Sequence, residues 1–219
     1  MVFDIYAINL ERRLDRKQNV LNQFKKFDFC NVKLFKAIEH EKGWIGCALS
    51  HLALIKHAKK SNMDYIIVVE DDISLNEIKN FEKILTHLTS NWKEYDIFNG
   101  SPSFGDVGGD VNVIKKVKSS HNKYHFVSNG QTTIFMIYTR NSYDRILSEY
   151  NPYKTDLQID QYYAQYFMQL CYKQYLCSQI IGYSDLLNKV VDLTNHFKRQ
   201  EEIYQSIPIK TSSNFSLRF

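Results

Sequence analysis

The chain has 219 residues, 44% of them hydrophobic, and a formal net charge of only +4. That length suits one large domain with room for a sizeable core, and the hydrophobic share excludes disorder over most of it. Lysines and arginines are spread along the sequence, which argues against nucleic acid as a partner, because such proteins concentrate basic charge on one face.

Residues 2–9 run apolar through Val2, Phe3, Ile5, Tyr6, Ala7 and Ile8, and read as a buried first strand. The charged turn Glu11-Arg12-Arg13-Leu14-Asp15-Arg16 leads into a helix to about Phe27, with Val20, Leu21 and Phe24 on one face. Val32 to Ala37 reads as a second strand. Ile45 to Lys60 reads as a helix with Ala48, Leu49, Leu52, Ile55 and Ala58 inward, and Tyr65 to Val69 as the third strand. Ser74-Leu75-Asn76-Glu77 fits a capping box, so a helix is expected from Ser74 to about Leu88. A short strand begins at Asp96-Ile97-Phe98. The glycine-bearing stretch from Asn99 to Asp110 reads as a mobile loop, either a lid or acceptor platform or a plain surface connection. Ile134 to Tyr138 is a further strand, Ser142 to Ser148 a helix, and Gln158 to Gln169 another. The tail from Gln205 to Phe219 is polar and expected to fray. Strands alternating with helices mean an α/β fold with a largely parallel sheet, a single domain over residues 1–204 and a tail over 205–219.

The apolar strand Ile66-Ile67-Val68-Val69 ends in three carboxylates, Glu70-Asp71-Asp72. Carboxylates this close repel one another, more so near a protein interior than in water. A hard divalent cation relieves that repulsion, and sites of the magnesium type combine one or two carboxylates with substrate phosphates. Open α/β sheets also receive ligands at the ends of central strands. A metal–diphosphate site is therefore one reading, and acids decorating a helix start is the other. Glu70 and Asp72 share a face if the chain stays extended, and are the ligand candidates. Asp71 then faces the other side of the sheet or a ribose.

The four cysteines, Cys30, Cys47, Cys171 and Cys177, form no C-x-x-C pair, so a zinc site is not expected, and a disulfide stays open. No apolar stretch approaches the ~20 residues that span a bilayer. An acid, Asp4, stands where a signal peptide would be basic. A soluble cytoplasmic protein with reduced thiols is expected, with peripheral contact to a membrane surface left open. Phe3-Asp4-Ile5-Tyr6-Ala7 lacks the second aspartate of a dehalogenase-type phosphatase, which counts against that class.

Three segments together resemble glycosyltransferase family 25, the group of lipooligosaccharide and collagen galactosyltransferases. They are Ile8-Asn9-Leu10-x-Arg12-Arg13-x-Asp15-Arg16, Gly46-Cys47-Ala48-Leu49-Ser50-His51, and Val69-Glu70-Asp71-Asp72. Weaker matches follow in family order at Gly130, at Ile159-Asp160-Gln161-Tyr162 and at Gly182-Tyr183-Ser184-Asp185.

The resemblance implies a GT-A-type, Rossmann-like nucleotide-sugar domain. It implies an inverting transfer of galactose or glucose from a UDP-sugar, with Mn²⁺ or Mg²⁺ as cofactor. The acceptor is a glycan, a lipid-linked glycan or, as in the collagen type, a protein; a non-catalytic sugar-binding module is the remaining alternative. Asn9 and at least one of Arg12, Arg13 and Arg16 then border the donor, since a guanidinium fork suits phosphate oxygens. Ser50 and His51 match the Ser-His pair of the family and become donor-site candidates, although a lone histidine in an apolar helix is more often structural. Asp160 matches an acid before a helix and is the candidate base, against helix capping by Asp156 or Asp160. His196 is a late histidine of the kind other GT-A enzymes lend to the metal, against an ordinary surface histidine.

Overall fold

The computed structural model describes residues 1–105, 114–121, 123–185 and 189–210. The first half alternates strand and helix: β1 (Phe3–Asn9), α1 (Leu14–Lys25), β2 (Cys30–Lys36), α2 (Gly43–Lys60), β3 (Tyr65–Glu70), β4 (Ile73–Leu75), α3 (Phe81–Ser90) and β5 (Ile97–Asn99). The second half adds β6 (Lys116–Lys118), β7 (Tyr124–Val127), β8 (Phe135–Thr139), α4 (Arg140–Glu149), α5 (Ile159–Tyr166), β9 (Gln169–Tyr172), β10 (Cys177–Gln179), β11 (Gly182–Ser184), β12 (Lys189–Val191), α6 (Thr194–Ser206) and β13 (Ile209–Lys210).

Nine strands form one sheet in the order β13-β6-β7-β9-β5-β8-β3-β1-β2. Seven of them run the same way; β7 and β8 run against the rest. Two small antiparallel pairs, β4 with β10 and β11 with β12, flank the sheet.

Alternation along each strand feeds two cores. Ile5, Ala7, Ile67, Val69, Phe135 and Ile137 join Val20, Phe24, Leu85 and Tyr204 on the side covered by α1, α3 and α6. Ile66, Val68, Met136 and Tyr138 join Ala48, Leu54, Ile55, Tyr143 and Tyr163 on the side covered by α2, α4 and α5. Both faces of the sheet are covered, as a largely parallel sheet requires.

Three expectations are corrected. Ser74 does not start a helix. Residues 73–75 are the strand β4, whose Leu75 amide donates to Gln23 Oε1, and α3 starts only at Phe81 after a left-handed Asn80 (φ 65°). Pairing with β10 overrides the local capping pattern. The helix expected over 158–169 stops at Tyr166, and Gln169 opens β9. Gln205 and Ser206 complete α6 and Ile209–Lys210 pair with β6; the rest of the expected tail, and residues 106–110 of the expected lid, lie outside the described residues.

Candidate functional site

The chain leaves β1 for β2 on one side and returns through α2 to β3 on the other. Between β1 and β3 the winding reverses, which opens a crevice at the carboxyl ends of those strands. Asn9 ends β1 and Glu70 ends β3, in register through the Ile8–Glu70 pairing. The acidic run stands in that crevice.

Period-two alternation decides what Glu70 meets. Ile66 and Val68 face α2, so Glu70 does too. Cys47 and His51 lie one helical turn apart on α2 and face it. Cys47 Sγ is 3.9 Å and His51 Nε2 3.7 Å from Glu70 Oε1, and the Thr133 hydroxyl donates to the same oxygen at 2.5 Å. Burial opposes the Glu70 charge, but His51, Thr133 and Arg16 outweigh it and hold the carboxyl below its usual range. His51 is fully buried, with Nδ1 2.9 Å from the Tyr138 hydroxyl. Its Nε2 has no hydrogen-bond partner.

β3 ends at Glu70, so Asp71 and Asp72 sit in the turn to β4. The extended geometry that would align Glu70 with Asp72 stops there. Arg16 Nη1 lies 3.1 Å from Asp71 Oδ1 and 3.1 Å from Asp72 Oδ2, a single guanidinium between two carboxylates. Asn9 Nδ2 donates to Asp71 Oδ2 at 2.6 Å and to the Arg13 carbonyl at 3.2 Å, which ties the turn after β1 to the acidic run. Gln179 on β10 donates to Asp72 Oδ2 at 2.5 Å. Asp72 Oδ1 is buried without any partner. Burial and the charge of Glu70 raise the Asp72 carboxyl to about 7. Burial also raises Asp71, against the pull of Asn9 and Arg16.

Asp160 enters from the first turn of α5. Its Oδ1 accepts from the Gln161 amide at 2.8 Å and its Oδ2 from the Thr132 amide at 3.2 Å. The helix is capped by a reciprocal Gln158–Gln161 box, so Asp160 is not the cap. Burial raises its carboxyl, and the charge of Glu70 adds to the rise. Thr132 holds a left-handed backbone (φ 83°), strained for a β-branched residue. That conformation delivers its amide to Asp160 while the next residue, Thr133, reaches Glu70.

The remaining candidates divide. Arg12 and Arg13 both pair with Asp185 after β11, and Arg12 also pairs with Glu39. Arg13 and Arg16 donate to the Tyr183 carbonyl. The Ser50 hydroxyl is buried, donating to the Gly46 carbonyl and accepting the Ile38 amide, both at 2.8 Å; it ties α2 to the segment after β2. His196 Nε2 is 3.1 Å from Ser103 Oγ, and none of its described contacts reaches the acidic run. Sequence reasoning passed over Cys47, Thr133 and Gln179. The four-residue spacing of Cys47 and His51 was the visible signal for the first; the other two arrive from distant segments with no local mark.

The profile of glycosyltransferase family 25 (LPS biosynthesis protein) matches residues 41–175. The match takes in the Gly46–His51 segment, the acidic run and Asp160, and leaves out the arginine turn and His196. No curated protein matches the sequence. Among solved structures, A197 from STIV is similar at 12% identity over 87% of this chain and 93% of its own, with TM-score 0.46. A glycosyltransferase involved in glycosylation of the major capsid of PBCV-1 is 10% identical over 76% of each chain, TM-score 0.42. UDP-glucose pyrophosphorylase complexed with UDP-glucose is 15% identical over 92% of this chain and 80% of its own, TM-score 0.44. Likenesses this distant assign neither substrate nor activity. The family profile spans more than half of the chain and includes the crevice residues, and the α/β sheet with its reversal between β1 and β3 is the GT-A-type arrangement expected of them: the chain belongs to glycosyltransferase family 25 and is a glycosyltransferase.

Proposed function

We propose that the enzyme transfers galactose or glucose from a UDP-sugar to a hydroxyl of a glycan or glycoconjugate, with inversion and with a divalent cation of the Mn²⁺ or Mg²⁺ type. The observation that carries this reading is Asp72: a buried carboxylate with one oxygen unpartnered, raised to about 7, beside Glu70 and Asp71. Such an oxygen fits a hard cation, which supplies Lewis-acid stabilisation of the departing diphosphate. Asp72 Oδ1 would hold it, with the second oxygen of Glu70, the one not turned to α2, and the more distant His196 as further candidates.

The residues of the chain do the rest. Arg16, shared between Asp71 and Asp72, is placed to contact diphosphate oxygens beside the N-terminus of α1, where backbone amides favour anions. Asn9 keeps Asp71 and the turn fixed. Asp160, raised by burial, takes the proton of the acceptor hydroxyl. Inversion needs that base on the face of the sugar opposite the diphosphate.

Two variants test the assignment together. Asp72→Asn should abolish cation-dependent UDP binding in calorimetry and with it turnover. Asp160→Asn should retain that binding and lower turnover by roughly 10²–10⁴-fold, the contribution of one general base. Full transfer activity in Asp72→Asn would remove the site, and near-normal turnover in Asp160→Asn would remove the base.

A further inference from the structure

Glu70 has two sides. Its side chain is 25% exposed, while Oε1 turns inward to α2. There it meets Cys47 Sγ at 3.9 Å and His51 Nε2 at 3.7 Å, and the three ligand atoms lie within 4.8 Å of one another. Thiol, imidazole and carboxylate are the donors that hold zinc, with bonds of about 2.3, 2.0–2.1 and 2.0–2.2 Å. In a tetrahedron those bonds put ligand atoms roughly 3.3–3.6 Å apart. The two separations from Glu70 Oε1 exceed that by a few tenths of an ångström, and all three atoms lie within 4.8 Å, so binding would draw the Cys47 and Glu70 side chains inward.

His51 supplies the second, independent sign. It is fully buried, yet its Nε2 has no hydrogen-bond partner, and the contact to Glu70 is beyond hydrogen-bond reach. A buried polar atom left without a partner is costly, because it has lost water and gained nothing in exchange. Its other nitrogen is already held by Tyr138 at 2.9 Å. In the tautomer whose Nδ1–H donates to the tyrosine oxygen, Nε2 presents a lone pair, the usual support for a metal-bound histidine.

We propose that Cys47, His51 and Glu70 form an inner site for zinc or a similar borderline metal, distinct from the hard-cation position at Asp72. Sulfur and imidazole donors select against Mg²⁺ and Mn²⁺ and for zinc or cobalt. Three protein ligands leave a fourth position open, and the charges facing Cys47 besides Glu70 are Asp160 and Asp72. An ion there would clamp the first turns of α2 to the end of β3 and fix the orientation of Glu70. The inference stands on this geometry and does not depend on the proposed sugar transfer.

Cobalt reports the site directly, because a bound thiolate gives a charge-transfer absorption that oxygen ligands do not. Chelator-treated wild-type protein titrated with Co²⁺, without nucleotide, should develop that band to saturation at one equivalent. Cys47→Ser should lose it. Zinc should also raise the melting temperature of the wild type, since it binds the folded state. A wild type that shows no thiolate band at saturating Co²⁺ overturns the site, whatever the variant does. A band of equal strength in Cys47→Ser overturns it too, by assigning the sulfur to Cys30, Cys171 or Cys177. Mn²⁺-dependent UDP binding measured on the same wild-type sample reads the sugar-transfer proposal separately.

Discussion

Asp72 is held where a carboxylate is least comfortable. It is 3% exposed, one oxygen is empty, and burial with the Glu70 charge moves its carboxyl from 3.8 to about 7. The folded chain keeps a proton there that the unfolded chain gives up. The group's contribution to stability is therefore complete at low pH and is lost as pH rises through about 7, with a slope of at most about 1.4 kcal/mol per pH unit. Asparagine is neutral throughout and removes that slope. In cation-free buffer, Asp72→Asn should match the wild type near pH 4 and exceed it in melting temperature above about pH 7. A difference that stays constant over that range would mean Asp72 is ionised throughout. Thr132 tells the same story in its backbone: a left-handed β-branched residue is kept in place by its hydroxyl on the Ser101 carbonyl and its amide on Asp160. Strain and buried charge gather within one crevice, where a bound donor and cation would relieve the second.

At the level of elements, α2 carries the site because one glycine lets it come close. A Cβ on Gly46 would stand 2.5 Å from the Ile38 carbonyl oxygen, a backbone atom that cannot swing away. Gly46→Ala must push α2 off the segment after β2 and disturb the Ser50 bonds to Ile38 and Gly46. The expected cost is about 1–3 kcal/mol, the range for overpacking a tight contact, read as a lower urea midpoint with unchanged slope. An unchanged midpoint would show that the 37–42 segment yields freely. The sequence marked β1, β3 and β8 by their apolar runs and α1 and α2 by apolar side chains on one face, and β2, β5 and α4 were also read within a few residues of their observed bounds. β4 was misread because Ser74 and Glu77 imitate a capping box, while the deciding contacts come from Gln23 and β10. β6, β7 and β9 to β13 are two to four residues long and exist through their partners, so no local period marks them. The site divides in the same way. The acidic run announced itself, whereas Thr133 and Gln179 reach it across 63 and 107 residues.

On the scale of the whole molecule, the family match ends at residue 175, but the fold does not. α6 inserts Phe197 and Tyr204, followed by Ile207, into the core beneath the sheet. Gln200 accepts the Phe104 amide at 2.8 Å and Glu201 the Tyr175 amide at 2.9 Å. Lys116, only 3% exposed, donates to the Tyr204 carbonyl at 2.7 Å and stands 4.1 Å from the centre of its ring. Without α6 the Lys116 ammonium loses the Tyr204 carbonyl and ring, and Phe104 and Tyr175 lose the Tyr204 ring they pack on. Each of the three lost side chains, Phe197, Tyr204 and Ile207, is worth roughly 1.5–3 kcal/mol, against a total stability of about 5–15 kcal/mol for a domain. α6 also packs on β10, the strand that brings Gln179 to Asp72. A chain ending at Leu193 should therefore lose its cooperative thermal transition and the UDP binding proposed for it together, although every residue of the acidic run is still present. A truncated chain that melts like the full one would show that the core beneath the sheet closes without α6, and that the crevice is held by β1, α2 and β3 alone.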